Sequence, residues 1–450
     1  MARPSKVKTQ AASLPTPHPH AAGIDIGARS IYAAVPPGSC SKAVRSFPTF
    51  TEDLHALRDW LIECGITSVA MESTGVYWIP LFQILEAAGL KVCLVNARHC
   101  KNLPGRKTDV QDCQWLQYLH SVGLLNASFR PVDEVCAVRS ILRHREALVR
   151  AASRCLNHMQ KSLTQMNLQI HHVISDLSGT TGLAILTAIL QGERDPQKLA
   201  ALKHHRIHAS KDTLAKSLQG DWRPEHLFTL SQSFELWQTH QSLIAACDDQ
   251  IARMLRDFDS KAADSSALGK PSTTHKKPQR NEPQFAAREE CYRIFGVDLT
   301  AVPGFASNTV LVLLAELGPD FAERFKTAKH FGSWLGLCPD NRITGGKIYS
   351  VHTRDVKSRI AEALRLAAQS LWRAKNYFGD LYRRWKARLG SPKAITAMAH
   401  KLARVLWHML KFREPFNPEV FKLEEQKLQH RKLNRLQSLA SSLNYRLVQL

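Results

Sequence analysis

No apolar run in the 450 residues reaches the roughly 18 that a membrane span requires. The opening Met-Ala-Arg-Pro-Ser-Lys-Val-Lys-Thr-Gln also lacks the apolar stretch of a secretory signal, so the chain reads as cytoplasmic, with no membrane partner. None of the ten cysteines falls in a Cys-x-x-Cys pair, which argues against a zinc knuckle. Buried thiols in a reducing compartment are expected instead of a disulfide framework. Carboxylates are scarce beside cations: 39 Asp and Glu against 61 Lys and Arg leave a net charge of +22 and a pI near 9.7. A field of that sign recruits polyanions, of which nucleic acid is the commonest in a cytoplasm.

What is present is a globular composition, 44% apolar and 22% charged, long enough for two or three domains. Residues 1–20, with four prolines among Ser, Thr, His and Lys, read as a flexible arm. From Ala22 onward the pattern is strand (Ile24 and Ile26 around Asp25), strand (Ile31 to Val35), strand (Ala43 to Phe47) and helix (Thr51 to about Cys64). Strand (Ser68 to Glu72), helix (Ile79 to Ala88), strand (Lys91 to Val95) and a helix opened by Asp109 follow. Three strands as a meander, then strands alternating with helices, is the order of an RNase H-like α/β fold, here assigned to residues 21–130.

Long amphipathic patterns, Val132 to about Ile174 and Phe234 to Phe258, predict an antiparallel coiled coil within a helical region at 131–258. Residues 259–284 are polar and proline-containing, and read as a linker. A mainly α C-terminal domain is expected over 285–415, with a basic tail at 416–450. Within it, Val302-Pro303-Gly304-Phe305 joins a short helix to the apolar helix Asn308 to Leu317, in the manner of a helix-hairpin-helix whose glycine admits a DNA phosphate. Cys338 to Lys347 reads as a polar, glycine-containing loop, and three basic helices follow it.

An acid in a central strand needs a reason for its desolvation, and Asp25 is such an acid. Glu72 closes the fourth strand, and Asp109 and Asp112, three apart in the first turn of a helix, share one face. Each acid alone has a structural explanation; in this order along this fold they form a carboxylate set suited to magnesium. Two divalent cations about 4 Å apart, held by such a set, can activate an attacking oxygen and stabilise a leaving one in phosphoryl transfer. Arg98, Lys101, Arg106 and Lys107 crowd just before Asp109, where a phosphate backbone would lie.

Gly-Ile-Asp25-Ile-Gly, Met-Glu72-Ser-Thr-Gly-Val-Tyr, Lys-Thr-Asp109-Val-Gln-Asp112, Val-Pro-Gly-Phe, Leu-Gly-Leu-Cys-Pro-Asp-Asn-Arg and Thr344-Gly-Gly-Lys, in that order, resemble the insertion-sequence one-ten family of DEDD transposases from about Ala22 to Phe412. The resemblance implies a RuvC-like domain that binds Mg²⁺ through Asp25, Glu72, Asp109 and Asp112. It further implies a C-terminal transposase domain whose serine forms a covalent link to a DNA 5′ phosphate, in a homo-oligomer (dimer or tetramer) guided by a bridge RNA. Nucleic-acid contacts are expected at Arg106, Lys107, Gly304, Arg342, Gly345, Gly346, Lys347 and Arg354. Where the family has its serine this chain has Thr344, whose extra methyl restricts χ1. Thr344 as nucleophile, nearby Ser350 in its place, or an impaired copy are three open readings, of which Thr344 is preferred.

Three other classes share parts of this pattern. Gly-Ile-Asp-Ile-Gly also opens actin-like kinases, but no Asp-x-Gly-Gly phosphate loop follows. A RuvC-like hydrolytic nuclease or junction resolvase would use the same acids with water and no need of the 344 loop. A non-catalytic scaffold would be indifferent to loss of Asp25 and Glu72.

Overall fold

Alternation of large apolar with small or polar residues in the first strand and in the fourth creates the two-faced sheet on which the N-terminal part is built. A computed structural model describes residues 15–96, 108–262, 268–269 and 281–445, which fall into two compact units divided between Arg130 and Pro131. In the first unit the strands are β1 (Ala21–Ile26), β2 (Ser30–Ala34), β3 (Val44–Pro48), β4 (Ser68–Glu72) and β5 (Lys91–Val95). They form one sheet in the order β3-β2-β1-β4-β5, antiparallel from β3 to β1 and parallel from β1 to β5. This mixed sheet has the order expected of an RNase H-like α/β domain.

Ile24, Ile26, Val69 and Met71 turn to one face, where α1 (Thr51–Glu63) and α2 (Trp78–Ala87) bury Leu57, Trp60, Leu61, Leu81 and Leu85 against them. The other face carries small residues and is covered by α3 (Asp109–Ser121). One expectation is corrected here. Cys40 and Cys64 form a disulfide, with Cα atoms 5.7 Å apart, tying the β2–β3 connection to the end of α1. Twenty-four residues separate them, a spacing with no signature to read.

The second unit begins with two 33-residue helices, α4 (Asp133–Gln165) and α5 (Pro224–Arg256). They run antiparallel: Arg145 meets Asp248 near one end, and Ser162 meets Thr229 near the other. The first helix stops at Gln165, short of the expected Ile174, because the chain turns through Asn167 at φ +56°. The second starts ten residues before Phe234, at Pro224, whose missing N–H costs nothing in a first turn. Four short helices between them, Ile170–Val173, Thr180–Leu190, Pro196–Ala201 and Lys211–Ser217, close a separate core around Ile185, Leu199, Leu214 and Leu230.

The remaining helices are α6 (Ala287–Phe295), α7 (Ser307–Leu317), α8 (Ala328–Trp334), α9 (Arg359–Ser370), α10 (Tyr377–Leu389), α11 (Ser391–Phe412) and α12 (Lys422–Ser442). Their core extends to Val138 and Leu142 of α4 and Ile251 and Leu255 of α5. A hairpin, β6 (Arg342–Thr344) with β7 (Lys347–Ser350), interrupts them. Of the expected linker, residues 263–267 and 270–280 lie outside the described residues. No helix among the described residues is long and apolar enough to cross a membrane.

Candidate functional site

The register of β1 on β4 pairs Gly23 with Ala70 and Ile24 with Met71, so the next step along these parallel strands is Asp25 beside Glu72. Paired residues of neighbouring strands, about 4.8 Å apart, share a face. Because Ile24 and Met71 belong to the α1–α2 core, both carboxylates belong to the opposite face, the one under α3. Two glycines frame Asp25. A Cβ at Gly23 would stand 2.2 Å from the Gln117 amide nitrogen and 2.3 Å from the Cys113 carbonyl oxygen, so only glycine lets α3 lie directly on β1. Gly27 makes the turn into β2, its N–H donating to Ser30 O at 3.0 Å.

Glu72 ends its strand where the chain bends away. The Ser73 N–H donates to Val95 O at 3.0 Å, and the Thr74 hydroxyl donates to the Glu72 carboxylate at 3.3 Å. Helix α3 is started by Thr108, whose side chain accepts from the Gln111 N–H at 3.3 Å. Its direction follows from three contacts. Cys113 and Gln117 sit on Gly23, the Gln117 side-chain Nε2 donates to Ala21 O at 3.2 Å, and His120 Nε2 lies 3.1 Å from Ser68 Oγ at the start of β4. The helix therefore runs against the strands, with its first turn, carrying Asp109 and Asp112, towards the ends that carry Asp25 and Glu72. Between them the Cys113 thiol is pushed up to about 12, by burial first, then by the Asp25 and Asp112 carboxylates. His120, buried at the far end of the helix, is lowered to about 4 by burial and by His18 stacked on it at 5.1 Å.

The four acids thus share one face and one end of the sheet, and as an all-oxygen donor set they have the chemistry of a hard divalent cation's ligands. They are not drawn into a finished ligand cage: among the described residues no group of three His, Cys, Asp or Glu is close enough to hold a metal ion. Arg98, Lys101, Arg106 and Lys107, expected beside this site, lie outside the described residues.

In the second unit the expected loop around Thr344 is a β-hairpin. Thr344 pairs with Lys347 across Gly345 and Gly346, at φ +55° and +74°, the two positive values a two-residue turn of this hand requires. Both strands are exposed, and Tyr349, bulged between the paired Ile348 and Ser350, is 83% exposed. The hairpin is rooted by the Asp340 N–H donating to His352 O at 2.8 Å and by Arg354, whose guanidinium bonds the Ser333 carbonyl and hydroxyl. Thr344 stands at the exposed tip beside the turn, whereas Ser350 at the base accepts the His352 N–H at 3.4 Å. Arg342 lies 3.9 Å from Asp340.

Gly304 is accounted for without a phosphate. At φ +92°, its Cβ position is 2.7 Å from Ala367 O, so the glycine lets the turn before α7 rest on α9. Residue-by-residue reading missed Gly23, Gln117 and the Ser68–His120 contact, which set where α3 lies. The usable signal was Gly23 itself, since a glycine inside a strand pattern marks a close backbone approach.

Comparison with known proteins matches two stretches of the chain. A family model described as a transposase, of the DEDD type named for IS110, matches residues 22–168, and one described as the Transposase IS116/IS110/IS902 family matches residues 298–383. The chain belongs to the IS110 family of transposases. The first match takes in all four carboxylates and continues through α4; the second takes in Gly304, the Thr344 hairpin and Arg354. The chain is also similar to the "Insertion element IS110 uncharacterized 43.6 kDa protein" of Streptomyces coelicolor, 29% identical over 142 residues. That alignment covers 31% of this chain and 34% of the Streptomyces protein, so the chain spans about a third of that relative's length.

Proposed function

We propose that this protein is the transposase of an insertion sequence, cutting and joining DNA strands by metal-assisted phosphoryl transfer. The observation that supports the reading is the β1–β4 register, which runs to Ile24 on Met71, one residue before Asp25 and Glu72, in a sheet covered by α3, whose first turn holds Asp109 and Asp112. These four residues would hold Mg²⁺, which when bound supplies charge neutralisation at the phosphate and polarises the reacting oxygens. Gly23 and Gln117 act as positioning residues, since they fix the height of the helix that bears two of the acids.

The nucleophile in this reading is the Thr344 hydroxyl, supported by its exposure at the hairpin tip. Its Oγ forms a bond to phosphorus while the bond from phosphorus to the DNA 3′ oxygen breaks. The threonine proton is transferred so that a free 3′ hydroxyl leaves, with the 5′ phosphate on the protein. Joining reverses the step: an incoming 3′ hydroxyl attacks and threonine is released with its proton. No oxidant or reductant enters. Arg342, Gly345, Gly346 and Lys347 would hold the backbone around that phosphate, with Arg354 in a supporting contact, and Arg106 and Lys107 would contact the backbone near the four acids. The net charge of +22 suits both DNA and a bridge RNA, and a homo-oligomer would bring two DNA ends together.

Incubating the protein with DNA bearing the ends of its element in Mg²⁺, then denaturing and looking for protein-linked DNA, tests the reading. Thr344→Ala is expected to abolish the adduct, Thr344→Ser to retain it and Ser350→Ala to retain it. An adduct that survives Thr344→Ala and disappears in Ser350→Ala assigns the base of the hairpin instead. Cleavage without any adduct in the unaltered protein would identify a hydrolytic RuvC-like nuclease.

A further inference from the structure

A two-stranded hairpin left to itself in water is marginally stable, because neither of its faces is covered. The β6–β7 hairpin stands in this way among the described residues: Ile343 and Ile348 are 61% and 63% exposed, and the core of the second unit includes neither. Its register sorts the side chains. Ile343 pairs with Ile348 and Thr344 with Lys347, while successive residues of a strand turn to opposite faces. One face therefore carries the two isoleucines. The other carries Thr344 and Lys347, joined by Arg342, which lies two places before Thr344 on β6. Asp340 stands 3.9 Å from Arg342 and moderates that charge, so Lys347 is the cation paired with Thr344 beside the turn.

The two ends of the hairpin differ as much as its faces. At the base the chain is held by the Asp340–His352 main-chain bond, by the Pro339–Thr353 bridge and by Arg354 on Ser333. At the tip Gly345 and Gly346 carry no side chain and have open space where a Cβ would stand. The element is thus rooted at one end, narrow at the other, apolar on one face and polar on the reverse. Both isoleucines are β-branched and stiff at χ1, so they keep their shape without a core around them. The reading above brings a DNA phosphate to the Thr344 hydroxyl, and whatever meets the isoleucine face lies one hairpin's thickness from it. In DNA the apolar surface so close to a phosphate is the flat face of a base, which stacking covers in a closed duplex. Proteins reach that surface with apolar wedges, isoleucine among them, that enter a base step and unstack it. We propose that the β6–β7 hairpin is a strand-opening wedge, its Ile343–Ile348 face against a base uncovered beside the cut site and its Thr344–Lys347 face on the backbone of the strand to be cut.

This inference deepens the proposed function and rests on it, and its test separates the two. The full chain is bound to DNA bearing the ends of its element without divalent cations, so that the DNA stays uncut, and permanganate marks unstacked thymines. The unaltered protein should make thymines beside the cut site reactive. Ile343→Ser/Ile348→Ser should lower that reactivity about tenfold or more, the order of one lost base-stacking contact, while still binding the DNA by anisotropy. Both positions are exposed, so the unfolding midpoint should be unchanged, and Ile343→Val/Ile348→Val should keep the reactivity. In Mg²⁺ the serine variant should form less protein-linked DNA on paired ends and recover on ends mismatched at the cut site. Thymines unreactive with the unaltered protein bound, reactivity unchanged in the serine variant, or a loss no greater than its loss of binding would overturn the wedge. A serine variant of smaller assembly mass by light scattering would also overturn it, by assigning the isoleucine face to a second copy of the chain. Adduct without reactive thymines strikes the wedge alone; reactive thymines without adduct strike the covalent step and leave the wedge.

Discussion

Replacing Gly23 by alanine adds one carbon at the point where β1 and α3 touch. That carbon would lie 2.2 Å from the Gln117 nitrogen, 2.3 Å from the Cys113 oxygen and 2.8 Å from the Gln117 Cα, all main-chain atoms that no rotamer change can move aside. Contact between such atoms is comfortable near 3.5 Å, so the helix must retreat by about 1 Å or more. Overpacking of this kind costs typically 1–3 kcal/mol, and with backbone as the obstacle a loss of about 3 kcal/mol is expected. The retreat also lifts Asp109 and Asp112 away from Asp25 and Glu72, and a misplacement of about 1 Å can cost 10²-fold in rate. Denaturant unfolding of the full chain reads the first effect, and strand cleavage in Mg²⁺ the second. Gly89→Ala is the control: at φ +81° it has nothing within 4 Å of a new Cβ, so it should cost only the left-handed backbone penalty, about 1–2 kcal/mol, with cleavage retained. A Gly23→Ala protein with wild-type unfolding midpoint and cleavage rate would refute the packing of α3 on β1.

Three further outcomes follow from buried polar groups and the hairpin. Because His120 is lowered to about 4 in the folded protein, against 6.5 as its ordinary value, the unfolded chain binds the extra proton between those values. Stability is then full above about pH 6.5 and falls as pH drops towards 4, by up to about 1.4 kcal/mol per pH unit; unfolding midpoints across that range should show the slope, and His120→Gln should flatten it. Arg145, 2% exposed, contacts Asp248 at 2.5 Å and 3.1 Å, and Asp248 also accepts the Gln284 N–H at 3.2 Å. Arg145→Ala should therefore cost about 3–5 kcal/mol by leaving a buried carboxylate unpaired, and Arg145→Met/Asp248→Leu should recover most of that in the same denaturation assay. Gly346→Val, which places a β-branched residue at φ +74° in the hairpin turn, should reduce adduct formation at Thr344 and cost at least the left-handed backbone penalty of about 1–2 kcal/mol in the same denaturation assay.

The sheet was legible because each strand has one buried face, and alternation around Ile24 and Ile26 or through Val69 and Met71 reports it directly. The start of α3 was legible for a different reason: Thr108 before Asp109 is a cap followed by acids suited to a helix N-terminus. The Thr344 hairpin was not read, although Gly345-Gly346 between two short runs is a hairpin signal. Neither of its faces is buried, so Ile343 and Ile348 show no alternation against a core. The early start of α5 escaped notice because Leu230, which belongs to its first turns, packs into the core of the four short helices and not along the seam with α4. For the site, the four acids stood out by chemistry and order. What brings them to one end of one face lies in Gly23, Gln117 and the Ser68–His120 contact, three placements that depend on main-chain distances across elements far apart in the chain.

The central claim is that Asp25, Glu72, Asp109 and Asp112 act as one divalent-cation site, and Mn²⁺, which accepts the same oxygen ligands as Mg²⁺, allows it to be tested without knowing the DNA substrate. Titration of the full-length protein with Mn²⁺, following the loss of free-ion signal by electron paramagnetic resonance, should reveal bound metal. That binding should be weakened about tenfold or more both by Asp25→Asn on the strand and by Asp112→Asn on the helix. Binding that is absent in the unaltered protein, or that neither substitution weakens, would contradict the account.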